Sequence, residues 1–87
     1  MISRTHRDFW RLYARLGPDN RRAAARAFAR FCNDPNHPSL RFKKLIGRGD
    51  IWSVRVNDDI RAAGRRQGEA IRWFWIGTHN DFDNRFS

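Results

Sequence analysis

Cysteine is almost absent from the 87 residues: Cys32 stands alone, so no disulfide can close within the chain. Small secreted domains usually depend on several such bridges, and the expected setting is therefore the reducing cytoplasm. Long apolar runs are missing as well. Nothing approaches the ~20 residues needed to cross a bilayer, and the opening Met1-Ile2-Ser3-Arg4-Thr5 lacks the apolar stretch of a signal peptide. No membrane partner is expected. Glutamate occurs once, as Glu69, in a stretch that reads as a turn, which argues against paired-carboxylate chemistry of the glycosidase kind. There is no Gly-rich phosphate loop and no serine elbow. The three His and the single Cys fall at separations that match no zinc spacing, so neither a metal nor a cofactor is expected. Cys32 itself reads as a small apolar residue at a helix end.

What the chain has in excess is positive charge. Lys and Arg number 18 against 9 Asp and Glu, a formal net charge of +9, and the whole of that excess falls in residues 1–49, the remainder being balanced. Nearly all the cations are Arg, whose planar fork suits phosphate and carboxylate. Solvated surface charge accounts for the composition equally well; taken as a signal, it points to a polyanionic or acidic partner. Residues 1–87 are expected to form one domain. A domain this short has a thin core, which four Trp, seven Phe and one Tyr help to fill.

Hydrophobic spacing changes character near Pro38. Before it, Phe9, Leu12, Tyr13 and Leu16 recur at i, i+3, i+4 and i+7, the stripe of an amphipathic helix. Thr5 and Asp8 form a capping box in its Asp form, and Gly17-Pro18 ends the helix. Pro18 and Asp19 suit the first turn of a second helix with Ala24, Ala27, Phe28 and Phe31 on its apolar face. So short a connection makes the two helices an antiparallel hairpin. After Pro38 the period is two. Trp52, Val54 and Val56 oppose Ser53 and Arg55, then Ile60, Ala62 and Gly64 oppose Arg61, Ala63 and Arg65, and Ile71–Ile76 is apolar on both faces. Short turn-rich links join these segments. The expected fold is α+β: an N-terminal helix hairpin packed on a four-stranded, mostly antiparallel twisted sheet. The helices should cover the Trp52/Val54/Val56 face, leaving Ser53, Arg55, Arg61 and Arg65 on an open, Arg-rich face. Trp73 and Trp75 are expected on one strand face, in the core.

With these segments in order, the sequence resembles the RelE/ParE toxin superfamily. The resemblance is carried by Asn36-His37-Pro38-Ser39-Leu40-Arg41-Phe42-Lys43-Lys44-Leu45, Ile51-Trp52-Ser53-Val54-Arg55-Val56, Ile60-Arg61-Ala62 and Trp73-Phe74-Trp75-Ile76-Gly77-Thr78-His79. It covers nearly the whole chain and does not choose a branch. It implies the toxin of a type II toxin–antitoxin module, held inactive by a cognate antitoxin lying across its working face in a heteromeric assembly. One branch cuts messenger RNA on the ribosome without a metal; the other inhibits DNA gyrase without nuclease activity. For the RNA-cutting branch the resemblance makes Arg61, Arg55 and His79 the catalytic candidates: two guanidinium groups for phosphate charge and an imidazole for protons. Arg41, Lys43, Arg65 and Phe82 are the accompanying RNA-binding candidates. Phe82 stands where relatives often carry a tyrosine, so it can stack on a base but offers no hydroxyl.

Each candidate has a plainer reading. Arg55 and Arg61 could pair with Asp58 or Asp59 in a surface network, and His79 could merely cap a strand end. His37, in a rigid Asn-His-Pro turn, is assigned to structural hydrogen bonding, and His6 to solvent. The rows Arg7/Arg11/Arg15 and Arg22/Arg26/Arg30 repel at i,i+4, so they form a solvated surface open to ribosomal RNA or an acidic antitoxin and add nothing to helix stability. A basic nucleic-acid-binding domain without toxicity is the remaining alternative.

Overall fold

The computed structural model describes residues 1–87 throughout. The chain runs β1 (Ile2–Thr5), α1 (Arg7–Tyr13), α2 (Pro18–Asn33), one 3-10 turn (Pro38–Leu40), β2 (Lys43–Lys44), β3 (Ile51–Arg55), β4 (Ile60–Gln67), β5 (Ala70–Thr78) and α3 (His79–Phe86). The strands form a single sheet in the order β1-β5-β4-β3-β2. This is the expected α+β architecture, with two additions. The sheet has a fifth strand, because Ile2–Thr5 pairs in parallel with Ala70–Trp73, and a third helix follows the last strand.

Local sequence explains most of the helix boundaries. The N-cap of α1 is His6 rather than Thr5: the backbone N–H of Asp8 donates to His6 Nδ1 at 3.1 Å, while Thr5 Oγ1 accepts from Trp10 Nε1 at 2.9 Å. The helix ends at Tyr13, short of the expected Leu16, yet Leu16 remains in the core. Gly17 is the N-cap of α2 and Pro18 its first residue, where a missing N–H costs nothing. Ala24, Ala27 and Phe31 are the buried face of α2, with Phe28 half-buried beside them. Cys32 is exposed, so it serves no packing role.

One core lies between the helix pair and the sheet. It joins Phe9, Leu16, Ala24, Ala27 and Phe31 to Val54, Ile60, Ala62, Ile71, Trp73 and Ile76, with Trp52 and Val56 packed at its margin. Edge-on rings knit it: Phe31 lies 5.3 Å and Phe28 5.1 Å from Trp73. The Trp73 indole N–H donates to Ser3 Oγ at 2.9 Å, which satisfies a buried donor and ties β1 to the core.

The sheet's other face departs from expectation for a definable reason. Ala63 is opposite Trp75 and Gly64 opposite Trp73, so Phe74 is an extra residue in β5. A bulge of this kind shifts the period-two alternation by one. Trp73 therefore faces the helix pair, whereas Trp75 and Phe74 join Ile51 and Ala63 on the opposite side; the two tryptophans do not share a face. Gly64 makes the close approach possible. A Cβ there would sit 2.9 Å from both Ile71 Cγ1 and Trp73 Cε3.

The apolar patch created by the bulge is covered by α3. Phe82 and Phe86 lie 5.9 Å and 5.5 Å from the Trp75 ring. The expected fully open Arg-rich face is thus roofed at one end, and Ser53 beneath it is only 3% exposed. Thr78 caps the helix by accepting from the N–H of Asp81 at 3.1 Å.

Candidate active site

Where α3 stops covering the sheet, its first turn and the ends of β3 and β4 enclose a cleft of about 220 Å³. Arg55 reaches it from the end of β3 and Arg61 from the facing start of β4, the two being directly cross-strand. Their side chains share a face because both positions have the parity of Ser53, which forms part of the lining. Arg41 and Lys43 line the cleft from the segment before β3, Arg41 in a left-handed conformation with φ 45° at the end of the 3-10 turn. His79, Phe82 and Asp83 line it from α3. The sequence-predicted Arg41, Lys43, Arg55, Arg61, His79 and Phe82 thus converge on one hollow. Arg65 does not: it pairs with Asp50 at 2.8 Å and lies over the Phe74 ring, farther along the same face.

Ser53 and Asp83 also line this cleft. Alternation places Ser53 on the Arg-rich face but gives it no role in the site, and the sequence reading does not reach Asp83. Asp83 could have been reached from the capping pattern Thr78…Asp81 and the i,i+4 pair Phe82/Phe86, which together mark a helix and set His79 and Asp83 one turn apart.

Electrostatically the cleft holds four cations against one lining carboxylate. Arg61 bears the consequence. Burial, then the neighbouring guanidinium groups of Arg55 and Arg41, lower its pKa from the ordinary arginine value. Its Nη1 donates to the carbonyl oxygens of Asn57 at 2.6 Å and Ile60 at 3.1 Å, contacts that fix its direction without neutralising it. Arg55 is partly neutralised, because its Nη2 donates to the carboxylate of Asp58. That hydrogen bond, and the attraction of the same guanidinium, hold the Asp58 carboxyl below the usual carboxylate value. The surface-network reading therefore describes one nitrogen of Arg55 and leaves Arg61 without a carboxylate partner. The His79 backbone N–H donates to Asp59 O at 2.7 Å, and its half-exposed ring brings Nε2 to 3.4 Å from Asp83 Oδ2. At the far end of α3, Arg48 donates to the carbonyl oxygens of Phe86 at 3.1 Å and Ser87 at 2.9 Å.

Chemically, the cleft joins guanidinium groups able to hold one anionic centre to an imidazole, a hydroxyl, a carboxylate and an aromatic ring at its edge. His37 lies outside the cleft and does structural work, accepting at Nδ1 from Ser39 N at 3.2 Å. No three His, Cys, Asp or Glu side chains come together in a way that could hold a metal ion, and no helix is long and apolar enough to cross a membrane.

A family model described as a ParE-like toxin domain matches residues 18–84. No curated protein matches the chain. Among solved structures, the chain is similar to one of a RelB–RelE antitoxin–toxin complex from Methanococcus jannaschii, at 14% identity and TM-score 0.76 over 97% of this chain and 99% of that one. It is similar also to a YoeB/ParE toxin from Agrobacterium tumefaciens, at 16% identity and TM-score 0.70 over 91% and 99% of the two chains. A third match is the isolated RelE toxin of E. coli, at 13% identity and TM-score 0.65 over 99% and 98%. At these identities the structural likeness speaks for the fold.

Proposed function

The chain belongs to the ParE-like toxin domain family, and on that premise we propose that it is the toxin of a toxin–antitoxin module and acts as a ribosome-dependent, metal-independent messenger RNA endonuclease. The observation that carries this reading is the convergence of Arg55, Arg61 and His79 on one cleft that Arg41 and Lys43 also line. In the reaction, the ribose 2′-oxygen attacks the adjacent phosphorus and the bond from phosphorus to the 5′-oxygen breaks. The products are a 2′,3′-cyclic phosphate and a free 5′-hydroxyl. One proton leaves the 2′-hydroxyl and one is delivered to the departing oxygen, so no net proton is consumed. Arg61 and Arg55 stabilise the charge that builds on the phosphoryl oxygens. His79, with Asp83 beside it, is the group that takes or gives a proton. Phe82 stacks on a base at the rim. The partner is a cognate antitoxin that covers the cleft.

Expression in a translating extract should create new 5′ ends in messenger RNA, read by primer extension. Arg61→Ala should slow cleavage by about 10²–10³-fold and His79→Ala by about 10²–10⁴-fold. Cutting at the parental rate by both variants would remove the assignment.

A second reading, a non-catalytic toxin acting on DNA gyrase, is favoured by one observation. Phe82 packs against Trp75 and Phe86 and brings no hydroxyl to the cleft. That reading requires inhibition of gyrase supercoiling by the purified chain with messenger RNA intact.

A further inference from the structure

On the other side of Arg55 lies a second cleft, of about 330 Å³, between α2 and the end of β3. Arg26 and Arg30, one helical turn apart, line it together with Arg55, so the side chain of Arg55 borders both hollows. Ser39 links the two sides: its hydroxyl accepts from Arg30 Nη1 at 3.0 Å and its carbonyl from Arg55 Nη1 at 3.5 Å. Asn57 Nδ2 donates to Asn20 Oδ1 at 3.0 Å, which fastens the start of α2 to the β3–β4 turn and makes one wall firm. The only carboxylate in the lining is Asp19, and Arg22 occupies it. No carboxylate pairs with Arg26 or Arg30. Three guanidinium groups therefore face one hollow, two of them repelling along the same helix. Arg26 and Arg30 are exposed and Arg55 is shared with Asp58, so the repulsion is small, and an anion held between the three would offset it.

We propose that the Arg26/Arg30/Arg55 cleft is a second phosphate subsite, taking the backbone of single-stranded RNA as it leaves the cleft of Arg61. The proposal rests on the nuclease reading and extends it: Arg26 and Arg30 line one hollow, Arg61 the other, and Arg55 borders both at the end of β3. An RNA backbone fits this arrangement better than an acidic peptide does. The walls between the arginines are polar at Asn20, Ser39 and Asn57 and apolar at Ala23 and Val56, with Ala27 and Leu40 buried beneath, which leaves too little apolar surface to make a pocket for a large peptide side chain. Phosphates contribute affinity through guanidinium contacts and counterion release, with no such pocket needed.

The test uses 2′-O-methyl RNA, whose blocked 2′-oxygen cannot attack: a dinucleotide with one bridging phosphate and a hexanucleotide with five. Binding to the purified chain is followed by NMR shift titration across a salt series. Replacing Arg26→Gln and Arg30→Gln together should leave dinucleotide binding unchanged. It should weaken hexanucleotide binding at least tenfold at low salt and reduce the slope of log K against log salt by about 1.4, the value for two lost single-strand phosphate contacts. An Arg4→Gln/Arg7→Gln variant carries the same net charge and should keep the parental slope. Equal slope losses in the two double variants would reduce the effect to the general field and overturn the subsite. So would a hexanucleotide that gains nothing from Arg26 and Arg30, or a double variant weakened only toward the antitoxin. If Arg61→Gln fails to weaken the dinucleotide, the nuclease reading fails as well; if it weakens it while Arg26 and Arg30 contribute nothing, the subsite alone fails.

Discussion

Arg61 holds a positive charge where both burial and like charge oppose it, and two residue-scale consequences follow from its surroundings. Its folded-state pKa lies below the ordinary arginine value. For a base this means that the charged form is disfavoured by folding. The cost is present in full throughout the neutral range and is relieved only as pH rises through the folded value. A bound oxyanion relieves it without a pH change. Sulfate should therefore raise the unfolding midpoint of the parent, by the equivalent of about 2.7 kcal/mol at a hundred times its dissociation constant. In the Arg26→Gln/Arg30→Gln background, which removes the second hollow's arginines, adding Arg61→Gln should lose most of the remaining gain in a thermal melt. For Asp58 the sign is opposite. Its carboxyl pKa is depressed by Arg55, so the contact stabilises above the unfolded value of 3.8 and is lost as pH falls through the lower folded value. Carbon-detected titration should give Asp58 a midpoint below 3.8, returning toward it in Arg55→Gln.

At the scale of elements, the bulge in β5 is the feature on which the site depends. It turns Phe74 and Trp75 toward the face opposite the helix pair, which gives α3 an apolar seat for Phe82 and Phe86, and α3 in turn brings His79 to the arginines. Gly64 stands opposite Trp73 beside this irregularity because a Cβ would collide with Ile71, Trp73 and the Arg72 carbonyl. Gly64→Ala should destabilise the chain by about 1–3 kcal/mol, the usual range for overpacking a filled core, as read from denaturant midpoints at unchanged m-value. These were also the elements least visible in the sequence. The helical stripes of α1 and α2 and the alternation of β3 and β4 are regular, so their facing follows from period alone. An inserted residue breaks the period without leaving a compositional mark. α3 is marked in the sequence only by Thr78…Asp81 and Phe82/Phe86, a signal too short to stand out from a strand end followed by a polar tail. The four residues of β1 contain no apolar alternation; their pairing exists because β5 offers a free edge.

For the whole molecule, the +9 charge acts beyond any single contact. Association with a polyanion or an acidic partner should be steered by this field, with rate constants that fall steeply as ionic strength rises from 0.01 to 0.15 M, where the screening length shrinks from roughly 30 to 8 Å. Stopped-flow mixing at several salt concentrations checks this; a flat dependence would mean that the charge is locally compensated. The amino-acid order alone determined the fold class, the helix hairpin, the faces of β3 and β4, and the cationic residue types that a phosphate-binding surface needs, because these follow from period, capping and charge, which are local quantities. Folding in three dimensions brings Arg41, Lys43, Arg55, Arg61, His79 and Phe82 to one cleft, joined by Ser53 and Asp83. It leaves Arg65 apart and sets Arg55 between two hollows. The reason is physical: convergence depends on strand register, on one inserted residue and on a helix folding back over the sheet, and each of these is fixed by packing between segments distant in the chain.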